Sequence, residues 1–165
     1  MPFVIRPAVR ADFDAAEEVE READRLFAER FEASDWPPPE AAAERAAQPG
    51  FLLVGEEDGV VVGFAHVLEI AGIAHLEQVA VLPRCARRGY GRMLVEAAKA
   101  AASAHGHGEL TLRTYADVPW NAPFYATCGF AVSEPVTPFL KSLVDVEESL
   151  GLMRHGARVQ MTALL

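Results

Sequence analysis

The chain has little cysteine and no surplus of positive charge, and these two shortages remove several classes of protein. Only Cys85 and Cys128 are present, without the spacing of a zinc site, and no cluster of His and Cys argues for a metal. In a cytoplasmic setting the two read as free thiols rather than a disulfide. Lys and Arg number 15 against 24 Asp and Glu, a net charge of −9. A general nucleic-acid binder carries a basic excess because phosphate contacts dominate its affinity, so no nucleic-acid partner is expected. Acidity serves solubility, and it would also draw a cationic small substrate. No apolar run approaches the roughly 18 residues of a membrane span. The opening segment lacks the basic, apolar and small-residue regions of a signal peptide. The expectation is a cytoplasmic protein with no membrane partner, folded as one domain over residues 1–165.

Hydrophobic periodicity gives the elements. A short strand at residues 3–6 is followed by a helix from a candidate N-cap at Asp12 to about Phe31, with Glu and Arg on its outer face. Trp36-Pro37-Pro38-Pro39 must break it, and an Ala-rich stretch at 40–48 reads as a second helix. Strands follow at 51–54, 60–70 and 73–82, joined by turns at Asp58-Gly59 and Ala71-Gly72. A helix after Gly89 carries an apolar stripe of Met93, Leu94, Ala97, Ala98 and Ala101. A strand at 109–115, a short helix at 121–127, an extended 130–133, a helix at 137–151 and a last strand at 158–164 complete the chain. Strands and helices in this order argue for one mixed sheet covered by helices.

The most informative segment runs from Val79 to Leu94 and passes from strand to glycine turn to helix. Free backbone N–H groups and the positive end of a helix dipole converge at such a junction, which suits a phosphate. Gly89 and Gly91 permit close approach, and Arg87, Arg88 and Arg92 add charge. A dinucleotide fingerprint is excluded because position 94 is Leu rather than Gly. A P-loop is excluded because Arg92-Met93 follows Gly91. Taken alone, the turn could equally be a tight connection before an amphipathic helix.

Its surroundings resemble the GNAT superfamily of N-acetyltransferases, whose motif Gln/Arg-x-x-Gly-x-Gly/Ala follows a strand ending in Val-x-Pro. Val81-Leu82-Pro83 precedes Ala86-Arg87-Arg88-Gly89-Tyr90-Gly91 in that register, with Ala86 where the family has Gln or Arg. Downstream, Asn121 to Phe130 is similar to the family's Asn-x-x-x-Tyr-x-x-x-Gly-Phe ending. The resemblance implies a GNAT-like α/β fold (an α+β mixed sheet), mostly antiparallel, of about 6–7 strands flanked by about 4–5 helices. It also implies acetyl-CoA as acyl donor, direct transfer to a primary amine through a tetrahedral intermediate, and no metal. By resemblance Arg87, Arg88, Gly89, Tyr90, Gly91 and Arg92 hold the pyrophosphate. Val79, Ala80 and Val81 then pair with the pantetheine arm, at a bulge that supplies an oxyanion donor. Side chains of Val79 and Val81 can at the same time be core.

Three residues are candidates for proton transfer. Tyr125 falls where the family protonates the departing thiolate; its alternative is a half-buried aromatic. His75 and Glu77 are two apart on one strand, so both project from one face, and either can be the base or a polar strand end. The strand is similar to that of arylalkylamine N-acetyltransferases, which carry histidines at both positions. Asn121 is a helix N-cap, a cofactor contact, or both. His66, Phe27, Phe31, Trp36, Trp120 and Phe139 could line an acceptor pocket or belong to the core. The run Glu17 to Glu22 reads as a solvated helix face. The acceptor, a small-molecule amine or a peptide, is not named by the sequence. A loop at 36–39 closing the groove would favour small molecules. A non-catalytic acyl-CoA-binding sensor or scaffold would need the turn but not Glu77, His75 or Tyr125. Homodimers are common in the superfamily, and the sequence is silent on them.

Overall fold

A computed structural model describes residues 2–165. Seven strands form one sheet in the order β1-β2-β3-β4-β5-β7-β6. The strands are β1 (Phe3–Pro7), β2 (Gly50–Glu57), β3 (Val60–Ile70), β4 (Ile73–Val81), β5 (Glu109–Tyr115), β6 (Ala131–Ser133) and β7 (Arg158–Leu164). The helices are α1 (Phe13–Phe31), α2 (Ala42–Ala47), α3 (Tyr90–Ala104), α4 (Ala122–Thr127) and α5 (Pro138–Ser149). Every neighbouring pair is antiparallel except β4 with β5. The expected mixed, mostly antiparallel sheet is therefore present.

Local chemistry explains the meander β2-β3-β4. Asp58-Gly59 and Ala71-Gly72 both turn through consecutive positive φ values, 52° and 77° in the first and 53° and 77° in the second. That is the type I′ geometry whose twist matches paired strands. Both faces of the sheet are buried. On one, Leu94, Val95, Ala98 and Ala102 of α3 pack on Ala65, Val67, Leu76 and Leu110. The helix thus buries positions 94, 98 and 102, spaced by four, and leaves Met93 at 43% exposure, so the stripe is rotated from the one expected. On the other face, Ala16 and Val19 of α1 cover Val54, Val62, Phe64 and Ala80.

Two local expectations change. Asp12 stands at the start of α1 but makes no side-chain cap. Its carboxylate accepts the Val9 N–H at 2.8 Å and two Arg6 bonds at 2.8 and 2.9 Å, fastening β1 to the helix start. The bulge in β4 lies upstream of Val79–Val81: Val67 pairs with Leu76 and His66 with Gln78, so Glu77 is the extra residue. Next to it, β4 and β5 pair only from Ala74–Leu110 to Leu76–Leu112. Beyond that point the sheet splits.

Candidate active site

The split in the sheet opens a cleft of about 1010 Å³. Residues 76–81 of β4 form one wall and residues 112–115 of β5 the other, with α1, the start of α3, α4, α5 and the loop at 36–38 around them. Val79, Ala80 and Val81 line it. Leu82 N–H donates to Val62 O at 2.8 Å, so the antiparallel alternation commits the backbone of Ala80 to β3. The backbone groups of Val79 and Val81 are then directed to the open edge.

The turn beyond β4 is built from backbone. Arg87 and Gly89 take positive φ, 63° and 82°, which swings the chain so that α3 starts at Tyr90. The N–H groups of residues 87–92 have no protein acceptor among the described residues. A Cβ built on Gly89 would meet nothing within 4 Å, and one on Gly91 only Phe124 Cζ at 3.6 Å. This is an open concavity lined with donors at a helix N-terminus, and it fits a pyrophosphate.

The side chains of the turn mostly face away from that role. Tyr90 is buried, stacked on Phe3 with centroids 3.9 Å apart, and its hydroxyl donates to Glu57. Arg88 bonds Glu57 at 3.2 Å and its side chain does not line the cleft, so its part in the turn is its backbone N–H. Arg92 lines the cleft but donates to the Thr127 carbonyl at 2.9 Å and hydroxyl at 2.8 Å, tying α3 to α4. Arg87, exposed at the rim, is the arginine of the turn with no ion pair or hydrogen bond among the described residues.

Tyr125, Glu77 and His75 all line the same cleft. Tyr125 lies between Phe124 and Phe130, both edge-on at 5.2 and 5.8 Å. Burial pushes its phenol above the ordinary value, so it is protonated at any working pH. Asn121 lines the cleft too, but its side chain does not cap α4. Its Oδ1 accepts the Tyr115 N–H at 3.2 Å and joins the end of β5 to the helix carrying Tyr125.

His75 and Glu77 project to one side of the strand across the bulge, with Nε2 and Oε2 3.8 Å apart. The Thr111 hydroxyl lies 2.8 Å from His75 Nδ1 and 3.4 Å from Ala74 O, which fixes the ring with Nε2 toward Glu77. Burial, helped by the charge of Arg113, holds the His75 pKa down at about 4. Glu77 keeps 34% of its side chain exposed in the open cleft, and partial desolvation there pushes it up to about 7 against the opposing charge of Arg45. At neutral pH His75 is uncharged, and Glu77 is raised toward the range in which a carboxyl can both take up and release a proton.

The model of the acetyltransferase (GNAT) family matches residues 15–130, which contain the turn, the split strands and Tyr125. The chain belongs to the GNAT family. Solved structures of similar fold include the ribosomal-protein-S18-alanine N-acetyltransferase from Escherichia coli, 19% identical, covering 99% of this chain and 94% of that one, with a TM-score of 0.73. The PaiA N-acetyltransferase from Thermoplasma acidophilum, in complex with coenzyme A, is 17% identical over 100% of both chains, with a TM-score of 0.67. A GNAT family acetyltransferase from Brucella melitensis, in complex with acetyl-CoA, is 24% identical over 79% of this chain and 83% of that one, with a TM-score of 0.60. The fold and the family's general activity, acetyl-CoA-dependent acetyl transfer to an amine, are those of this chain.

The other arm of this GNAT cleft was largely hidden in the sequence. Glu20, Asp24, Phe27 and Phe31 form one stripe of α1 at spacings of four, three and four. Glu20 is buried and pairs with Arg45 at 2.8 Å and with Gln78 at 3.1 Å, so this part of the expected solvated face is not solvated. Glu17 likewise is engaged, accepting the Ala42 N–H at 2.8 Å. His66 does not line the cleft; it is buried behind Arg45, 3.1 Å from it, and burial lowers it to about 4. Phe27 stacks on Trp36 at 5.2 Å and meets Trp120 and Tyr115 at 5.6 and 6.0 Å. Phe31 and Trp36 meet His155 at 4.9 and 5.8 Å beside an exposed Asp35–Arg154 pair at 2.8 Å, and Trp36, Pro37 and Pro38 line the cleft. Phe139 meets His75 edge-on at 6.1 Å.

Proposed function

We propose that this acetyltransferase moves acetyl directly from acetyl-CoA to the primary amine of a small molecule, with Glu77 as base and Tyr125 as acid. The observation carrying this reading is that the split between β4 and β5 gathers the donor-lined turn, Tyr125, Glu77 and His75 onto one cleft. The relatives solved with coenzyme A or acetyl-CoA support the donor. The N–H groups of residues 87–92 and the guanidinium of Arg87 would hold the pyrophosphate, and the open edge at Val79 and Val81 the pantetheine arm.

When bound, acetyl-CoA supplies an activated acyl group. The protein must free the lone pair of the amine, which reaches the cleft as an ammonium ion. Glu77 is suited to take that proton, since a base with a pKa near the working pH is ionised often enough and still basic enough. Neutral His75, with Nε2 3.8 Å from Glu77 Oε2, packs beside the base without adding a charge. Tyr125 stays protonated and can donate to the leaving sulfur. The 36–38 loop, which lines the cleft with Trp36, Pro37 and Pro38, supports a small acceptor over a protein segment.

Free thiol release from acetyl-CoA across a panel of amines and N-terminal peptides tests the reading. Tyr125→Phe is expected to lower kcat about a hundredfold while the KM for acetyl-CoA changes little. Thiol release that is absent for every acceptor, with coenzyme A still bound, would instead favour the non-catalytic module.

A further inference from the structure

The charges of the acceptor arm do not balance locally. Arg45 is taken by Glu20 at 2.8 Å and Glu40 at 3.5 Å. Arg113 and Arg158 both pair with Glu147, at 3.0 and 2.8 Å. Two carboxylates in the cleft, Asp24 and Glu77, are left without a cationic partner among the described residues. Glu77 stands at the bulge beside the acyl end. Asp24 stands further along: Gln78, next to Glu77, bonds Glu20, and Asp24 follows Glu20 by one helical turn, about 6 Å along the axis. Phe27, Trp36 and Trp120 form an aromatic wall on that stretch of the cleft. Carboxylate and aromatic ring together recognise a cation, the first by charge and the second through its quadrupole.

We propose that the acceptor carries a second cationic group, with its reacting nitrogen at Glu77 and its second cation between Asp24 and the wall of Phe27, Trp36 and Trp120. The inference rests on reading the cleft as an amine acetyltransferase site. Each end of such a molecule meets one of the two unpaired carboxylates, and the net charge of −9 adds a favourable long-range field. Burial, with the neighbouring charge of Glu20, pushes Asp24 up to about 7, as expected for a carboxylate without a local cation. A monoamine would leave Asp24 with the Trp36 indole as partner and no cation in contact. A peptide N-terminus would bring one cation at the reacting nitrogen and no second cation for Asp24.

The test compares α,ω-diaminoalkanes of increasing length with n-alkylamines of matched length, phenylalkylamines and N-terminal peptides, by thiol release from acetyl-CoA. For the best chain length, kcat/KM for the diamine is expected to exceed that of its matched monoamine at least ~10-fold, the size of one buried charge contact. In Asp24→Asn that ratio should fall close to one, and Trp36→Ala should reduce it by a smaller factor. Monoamines, phenylalkylamines or peptides used as well as diamines by the wild type would overturn the proposal while leaving acetyl transfer intact. So would a ratio unchanged in Asp24→Asn. The wild-type ratio needs no variant to fold, and coenzyme A titration checks that each variant retains its donor arm. Thiol release from no amine at all would remove the acetyltransferase reading itself.

Discussion

The two arms of the cleft are made in different ways. The donor arm is backbone: N–H groups at the start of α3, a glycine at φ 82°, and the unpaired edge of β4. Its side chains mostly brace it, with Tyr90 and Arg88 on Glu57 and Arg92 on Thr127. The acceptor arm is side chain: Asp24, Phe27, Trp36, Glu77, Trp120 and Glu147 come from five separate parts of the chain. A backbone cradle tolerates sequence change as long as the turn keeps its shape. A side-chain pocket can be re-specified one residue at a time, so one acyl donor can be retained while acceptors vary.

Substitutions should therefore separate the arms. Glu77→Gln is expected to have the largest effect, lowering kcat about a hundredfold or more because a base is lost, with the KM for acetyl-CoA nearly unchanged. A comparable rise in that KM would show that the arms are not separable. Gly89→Ala should act the other way. Its Cβ has space, but φ 82° costs a non-glycine residue about 1 kcal/mol or more, so coenzyme A affinity measured calorimetrically should fall several-fold, with kcat at saturation less affected. Smallest is Glu57→Gln, which loosens the hold on Tyr90 and Arg88 and should raise the KM for acetyl-CoA two- to threefold (about 0.5 kcal/mol). An effect of Glu57→Gln on acceptor preference would contradict the proposed division.

The donor arm was legible because it is contiguous: the end of β4, the turn and the start of α3 lie between Val79 and Leu94. What could not be read there was the bracing, since Glu57 reaches Arg88 and Tyr90 only through the fold. Asn121 occupied the expected N-cap position, yet its Oδ1 answers the Tyr115 N–H from another element. The bulge fell at Glu77 because register is decided jointly with β3. For the acceptor arm, the spacing of Glu20, Asp24, Phe27 and Phe31 was the available signal. Acidic residues on a helix are usually solvated, and nothing local revealed that Arg45 would bury Glu20.

The central claim is that the split sheet sets a titrating Glu77 against the amine. The most direct test is the pH dependence of kcat/KM for the amine in the wild type divided by that in Glu77→Gln, a ratio in which the ionisation of the amine itself cancels. Below about pH 7 Glu77 is protonated and cannot accept a proton. The ratio should therefore be small in acid, rise through about pH 7 and level off above it. A ratio that stays flat with pH would contradict the account.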